Sequence, residues 1–430
     1  MSEIIVYPTT NLSGEIRVDG DKSITHRSIL HAGLAEGDSI IQHYLSGNDC
    51  QATIDCMSAM GIRIEKSQDT LKIHGEGIRG LKTPQNDLNC VRSGTTMRLL
   101  MGLLCGQMKE TIILDGDTQL KNRPMERVAI PLRLLGANIS TTEGKPPIKI
   151  EPAALVGTAM NVGLPSAQVK SAIIYAGLYA DGETIIQQSA PTRDHTERML
   201  LAQGANIKTS VGEIRIMGGN PLLPIHMTIP GDISSAAFPI VAGILCSGSK
   251  ISIADVGLND SRTGILDILA AMSAKVQIQE QPGDPVEPYG KLFIESSLLE
   301  STVLEGDLIV RAIDEMPLAA LLATQANGQT IIRNAEELRV KETDRIASIS
   351  TELNKLGARI TPTPDGMIIE GTTPLTGTQV HGHGDHRIAM TLFIAGLIAS
   401  GETRIEGFEC VTDSFPGFLS VMKSIGANYA

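Results

Sequence analysis

Ala32-Gly33-Leu34-Ala35 running on to Ile40-Ile41, Ala176-Gly177-Leu178 to Thr184-Ile185-Ile186, and Ala395-Gly396-Leu397 to Thr403-Arg404-Ile405 state one phrase three times: a small-residue apolar run, a glycine, a β-rich run. Looser statements begin at Met101-Gly102-Leu103, Ala242-Gly243-Ile244 and Ala320-Leu321-Leu322, which makes six. A second phrase alternates with the first, Leu-Gly-Ala-x-Ile or a near variant after an apolar helical stretch. Its glycines are Gly61, Gly136, Gly204, Gly357 and Gly426, with Ser273 standing in once, and the successive spacings are 75, 68, 69, 84 and 69 residues. Each follows a 3.6-residue periodicity and precedes an alternating one, such as Asn138-Ile139-Ser140 to Ile148-Lys149-Ile150. That is the pattern of a helix C-cap opening into a strand. Each unit of about 70 residues therefore reads helix, strand, helix, strand pair.

The sixth unit stops at Gly426-Ala427-Asn428-Tyr429-Ala430, before its strand pair, while Glu3 to Tyr7 and Gly14 to Val18 are β-like and precede the first helix. The expectation is an α/β protein with a six-fold internal repeat. Residues 21–230 form a first domain of units one to three. Residues 1–20 plus 231–430 form a second domain of units four to six, with the N-terminal strands completing unit six. The chain crosses between domains near Asp19-Gly20 and Pro230-Gly231, a natural hinge.

Composition narrows the function. The chain has 430 residues, 42% apolar and 20% charged, as a soluble protein of two or three domains would. Acidic residues outnumber basic ones 48 to 36, the net charge is -12 and aromatic residues are 3%, which leaves neither a basic face nor stacking rings for nucleic acid. Met1 to Thr10 lacks a basic stretch followed by an apolar one, and the apolar run Ala389 to Ala399 is shorter than the roughly 18 residues of a membrane span. No membrane partner and a cytoplasmic location are expected. Cys50, Cys56, Cys90, Cys105, Cys246 and Cys410 form no C-x-x-C pair, consistent with buried thiols in a reducing compartment.

Polar residues precede each small-residue helix and differ from copy to copy: Asp21-Lys22-Ser23, Arg92-Ser93-Gly94-Thr95-Thr96, Ser166-Ala167-Gln168, Asp232-Ile233-Ser234-Ser235, Asp314-Glu315 and Asp385-His386-Arg387. Ser, Thr and Asp there are ordinary N-caps. Cations there oppose the helix dipole unless an anion is bound, so these starts are expected to meet an anionic ligand across an inter-domain cleft. Leu338-Arg339-Val340-Lys341-Glu342-Thr343-Asp344-Arg345-Ile346 is the most densely charged stretch, and Lys121-Asn122-Arg123-Pro124 and Arg193-Asp194-His195-Thr196-Glu197 add further cations. Arg forks suit carboxylate and phosphate oxygens, so the ligand should carry several such groups.

Gly20-Asp21-Lys22-Ser23-Ile24-Thr25-His26-Arg27, Ser93-Gly94-Thr95-Thr96-Met97-Arg98, Lys341-Glu342-Thr343-Asp344-Arg345 and Asp385-His386-Arg387 closely resemble the 5-enolpyruvylshikimate-3-phosphate synthase family, also called 3-phosphoshikimate 1-carboxyvinyltransferases. The resemblance spans essentially the whole chain. It implies the enolpyruvyl transferase fold, an inside-out α/β barrel in two domains each of three βαβαββ units. It also implies transfer of the enolpyruvyl group of phosphoenolpyruvate to the 5-hydroxyl of shikimate 3-phosphate with release of phosphate, on the route to chorismate and aromatic amino acids. No metal, nucleotide or redox cofactor is called for, and the chain is expected to act as a monomer. Carried over residue by residue, Lys22, Ser23, Arg27, Ser166, Gln168, Arg193, Asp314 and Lys341 match shikimate 3-phosphate positions. Lys22, Gly94, Arg123, Gln168, Arg345 and Arg387 match phosphoenolpyruvate positions. Asp314 is the expected base and Glu342 the expected acid, with Lys22 a rival for either step. Arg92, Glu337 and Asp413 depart from residues common in the family. Ser166-Ala167-Gln168-Val169-Lys170 and Arg193-x-His195-x-Glu197 resemble the second of its two sequence classes.

Three other readings compete. UDP-N-acetylglucosamine enolpyruvyl transferase resembles this family in fold but uses a loop cysteine, which neither Cys90 nor Cys105 suits. A non-enzymatic repeat scaffold would give no reason for Asp314 and Glu342 among the cations. A metal site at His381-Gly382-His383 and His386 would have only Asp385 as a nearby carboxylate.

Overall fold

The structure, a computed structural model, describes residues 3–107, 109–163, 165–282 and 286–430. The chain divides into two compact lobes. The first is Lys22–Ile229 with Asp284–Glu287, and the second is Met1–Asp21, Pro230–Gly283 and Pro288–Ala430.

The first lobe holds helices α1 (Lys22–Leu34), α2 (Asn48–Ala59), α3 (Gly94–Leu104), α4 (Glu126–Leu134), α5 (Ala167–Gly177) and α6 (His195–Ala202). The second holds α7 (Ile233–Leu245), α8 (Gly264–Ala271), a short α9 (Asp307–Arg311), α10 (Met316–Gln325), α11 (Arg345–Lys355), α12 (His386–Ile398) and α13 (Phe418–Ser424). The small-residue phrase is α1, α3, α5, α7, α10 and α12. Every residue from Ile24 to Leu34 of α1 and from His386 to Leu397 of α12 is buried; α12 is almost wholly apolar beyond its first turn, whereas α1 buries His26, Arg27 and His31 against hydrogen-bond partners. Small side chains let these helices approach closely. A Cβ on Gly102 of α3 would stand 2.0 Å from the Ala172 carbonyl oxygen of α5, so only glycine fits.

The second phrase is the C-terminal turn of the alternate helices. Gly61, Gly136, Gly204, Gly357 and Gly426 have φ from 80° to 99°, and Ser273 takes φ 64° in their place. This left-handed residue reverses the chain out of the helix and into the strand.

Five of the six repeats build a small sheet on one plan, and the described residues of repeat six form a three-stranded sheet in which Glu3–Val6 stands in place of the hairpin. A leading strand runs parallel to the strand that follows the small-residue helix, and a hairpin completes the sheet antiparallel to it. In repeat two these are Leu88–Asn89, Ile112–Asp115, and the hairpin Asn138–Thr142 with Lys145–Glu151, with Ile139 opposite Ile150. Alternating burial along Lys145–Glu151 turns one face of the sheet to the helices.

Two leading strands are exchanged along the chain. His226–Thr228 precedes α7 but leads repeat one, with Met227 opposite Ile41. Ser13–Arg17 precedes α1 but leads repeat four, with Ile16 opposite Ile253. The expectation that both N-terminal strands finish repeat six is thereby corrected. Glu3–Val6 does pair with Thr403–Glu406 in that sheet, and Ile5 exchanges backbone hydrogen bonds with Ala430 at 3.0 and 2.9 Å. The second strand goes elsewhere because among the described residues repeat four has no other leading strand: the one before α7 is used in repeat one. Gly20 and Gly231 pair with each other, and the Asp21 amide donates to the Pro230 carbonyl at 2.9 Å.

Candidate active site

The first lobe collects its candidates at the starts of α1, α3 and α5. Lys22 Nζ lies 3.2 Å from Oδ2 of Asp49 on α2. Arg27 is 2% exposed, and its guanidinium joins three elements. Nε donates to Thr196 Oγ1 at 2.7 Å, Nη2 to Ser171 Oγ at 2.9 Å and Nη1 to the Ser23 carbonyl at 3.0 Å. Arg193 Nη1 reaches Ser23 Oγ at 3.4 Å.

Ser93 caps α3 by accepting the Thr96 amide at 3.1 Å. A Cβ on Gly94 would lie 2.8 Å from Arg123 Nη1, so glycine is what lets that guanidinium close on the helix start. Ser166 caps α5 by accepting the Val169 amide at 3.5 Å. The Gln168 amide is bracketed: Oε1 accepts from Arg98 Nη1 at 2.6 Å, and Nε2 donates to Thr95 Oγ1 at 2.9 Å. Beneath runs a buried chain from His26 Nδ1 to Thr53 Oγ1 (2.7 Å), Thr53 to Thr96 (2.7 Å) and Thr96 to Ser93 Oγ (2.8 Å). Burial, with Lys22 and Arg27 close by, holds His26 well below its ordinary value, so this link between α1, α2 and α3 is neutral.

In the second lobe Arg345, 1% exposed at the start of α11, is the centre of a carboxylate cluster. Nε donates to Asp385 Oδ2 at 2.8 Å, Nη2 to Glu342 Oε2 at 2.7 Å and Nη1 to Asp314 Oδ1 at 3.3 Å. Burial alone would favour a neutral guanidine, but Asp385, Glu342 and Asp314 outweigh it and raise Arg345 above its ordinary value. Asp385 also caps α12, accepting the Arg387 amide at 2.9 Å. Arg387 Nη1 donates to the Ser234 carbonyl at 3.2 Å and lies 3.8 Å from Glu315 Oε1, which also accepts from Ser234 Oγ. Burial raises Glu315 above its ordinary value, against the pull of Arg387. Lys341, 4.0 Å from Glu337, is lowered below 10.5 by burial, with Asp314 and Glu337 working the other way.

The chemistry open to these groups is acid–base and anion binding. Cysteine chemistry is not supported: the Cys90 and Cys105 thiols are buried, Cys90 is raised by its hydrogen bond to Cys56 and by burial, and Cys105 is raised by burial to about 12.

A sequence model of the family described as EPSP synthase (3-phosphoshikimate 1-carboxyvinyltransferase) matches residues 6–422. The chain belongs to the EPSP synthase family. It is accordingly a transferase of the shikimate route to aromatic amino acids, moving the enolpyruvyl group of phosphoenolpyruvate to shikimate 3-phosphate. It is 44% identical over 427 residues to the 3-phosphoshikimate 1-carboxyvinyltransferase of Citrifermentans bemidjiense, covering 99% of each chain. It is 45% identical over 431 residues to that of Oceanobacillus iheyensis, covering 99% of this chain and 100% of the other. A solved EPSP synthase from Acinetobacter baumannii superposes with a TM-score of 0.89 at 40% identity, covering 100% of this chain and 99% of that one. The fold is therefore that of the enolpyruvyl transferases, as the resemblance implies.

Sequence reasoning passed over several partners that hold family-type residues in place. Asp49 meets Lys22, Arg98 orients Gln168, and Asp385 anchors Arg345. Arg98 stood in a quoted motif, and its helical spacing from Ser93-Gly94 was a usable signal. Asp49, 27 residues beyond Lys22, carried none. The departures from common family residues are locally paired: Arg92 Nε is 2.9 Å from Asp117 Oδ2, and Glu337 faces Lys341. The histidine segment is also corrected. A second carboxylate, Glu352, accepts from His383 Nε2 at 2.8 Å, from Lys355 at 2.9 Å and from the His381 amide at 3.1 Å. Among the described residues no group of three or more His, Cys, Asp or Glu side chains is placed to hold a metal ion.

Proposed function

We propose that the transfer runs through Asp314, Glu342 and Lys22. Shikimate 3-phosphate is taken by Lys22, Ser23, Arg27, Ser166, Gln168, Arg193, Asp314 and Lys341. Phosphoenolpyruvate is taken by Lys22, Gly94, Arg123, Gln168, Arg345 and Arg387. Asp314 accepts the proton of the 5-hydroxyl as its oxygen attacks C2 of phosphoenolpyruvate, and Glu342 delivers a proton to the methylene carbon. The tetrahedral adduct then expels phosphate as the new methyl group loses a proton, with cationic side chains meeting the departing charge.

One observation supports the pairing of roles. Asp314 and Glu342, far apart in sequence, share the guanidinium of Arg345, and both keep about a fifth of their side chain exposed while Arg345 keeps 2%. Two carboxylates are thus held on one buried fork while each stays partly exposed to solvent. Release of phosphate from shikimate 3-phosphate and phosphoenolpyruvate tests the assignment. Asp314→Asn and Glu342→Gln should each lower kcat by about 100-fold or more with the melting temperature within a few degrees of the parent. Parent-like rates in both variants would remove the assignment. The same reading has the enzyme cytoplasmic and monomeric, which fractionation and sedimentation would check.

A further inference from the structure

The first lobe contains a buried ion pair that none of the steps above uses. Lys170 Nζ, on the first turn of α5, lies 2.6 Å from Glu197 Oε1, on the first turn of α6, and the two side chains are 2% and 4% exposed. The same ammonium donates to the Thr192 carbonyl at 3.2 Å. Glu197 Oε2 is buried without a hydrogen-bond partner among the described residues.

Stability alone is a poor reason for this arrangement. Removing two charges from water offsets most of their attraction, and apolar residues of similar volume usually serve as well or better. The cation also sits at the positive end of the α5 dipole, where a lysine is disfavoured. The unpaired Glu197 oxygen adds a further penalty.

The connections give a reason of a different kind. Lys170 is two residues beyond Gln168 and four beyond Ser166, while Thr192 adjoins Arg193. One ammonium therefore joins the turn bearing Ser166 and Gln168 to the segment bearing Arg193. Next to it, Ser171 Oγ and Thr196 Oγ1 are 2.7 Å apart, and both are hydrogen-bonded by Arg27.

We propose that Lys170 and Glu197 are positioning residues for shikimate 3-phosphate. The buried pair sets the separation of two anion-binding segments, so that the Ser166 hydroxyl, the Gln168 amide and the Arg193 guanidinium meet one ligand in register. This rests on the assignment of those three residues to shikimate 3-phosphate.

The test is the Lys170→Met/Glu197→Gln double variant of the full chain, with shikimate 3-phosphate binding measured by calorimetry. It should melt at or above the parent temperature, yet bind about tenfold or more weakly, with KM for shikimate 3-phosphate raised in parallel and kcat at saturation within about threefold. Glu197→Asp keeps both charges, shortens the link by one methylene and should shift the same constant in the same direction. Parent-like affinity in either folded variant overturns the inference. Arg193→Ala and Gln168→Ala run beside them separate the two readings. If those variants lose affinity and the pair variants do not, only the positioning role fails; if they too bind like the parent, the site assignment fails with it.

Discussion

Arg345 shows how one residue combines structure and chemistry. It neutralises Asp385, buried at the start of α12, while holding Asp314 and Glu342 at a partly exposed edge. Arg345→Met should therefore lower stability by about 3–5 kcal/mol in urea melts, because Asp385 is left charged and buried. Two first-lobe histidines carry a pH dependence of definite sign. Burial lowers His31 from 6.5 to about 4, against a hydrogen bond to Gln203 that works the other way, and burial also lowers His26. Between pH 6.5 and about 4 the unfolded chain binds the His31 proton and the folded one does not, so stability falls as pH falls through that window. Each such group contributes up to about 1.4 kcal/mol per pH unit. His31→Gln should flatten the decline measured by urea melts at pH 6.5, 5.5 and 4.5, and an unchanged slope would mean that His31 is protonated in the fold.

Among the helices, the decisive features are caps and close approaches. Ser93, Asp232, Asp344 and Asp385 each accept a backbone amide in the first turn, so the polar residues ahead of these helices are true N-caps. Gly94 belongs to this scale, because the room it leaves at the start of α3 belongs to Arg123. Gly94→Ala should improve the helix by up to about 1 kcal/mol. The same change displaces Arg123 and should raise KM for phosphoenolpyruvate about tenfold or more, with shikimate 3-phosphate affinity little changed, as steady-state kinetics and calorimetry would show. The alternation of helix and strand and the left-handed turn at each Gly-Ala were readable because they depend on local backbone preferences. The partners of the charged residues were not. Arg345 meets Asp385 40 residues away, and Arg27 meets Thr196 169 residues away, distances over which one chain gives no spacing to read.

For the molecule as a whole, the chain ends matter most. Ile4, Val6, Leu12, Ile16 and Val18 are buried in the core of the second lobe, and Asn428 to Ala430 lie along Ile5 to Tyr7. Deleting residues 3–18 should leave that lobe unable to fold, seen as insoluble expression. A circular permutant joining Ala430 to Glu3 through a short linker and opening at the exposed Val211-Gly212 turn should keep the fold and at least half of the phosphate-release rate, because the joined ends already lie side by side.

The repeat phrases by themselves determined the α/β class and the six units, because small-residue periodicity and a positive-φ residue after a helix act within a few residues of where they are written, whereas the family was legible only from the resemblance of the motif residues. The motif residues likewise named the chemistry. Tertiary structure alone decided that the second N-terminal strand leads repeat four and that His226–Thr228 leads repeat one, since strand pairing depends on which sheet edge lies open. It also decided which carboxylate faces each cation. Burial makes an unpaired charge unfavourable at Arg345 and Lys170, and only the folded chain brings Asp385 to the first and Glu197 to the second, as it brings Asp49 to the partly exposed Lys22.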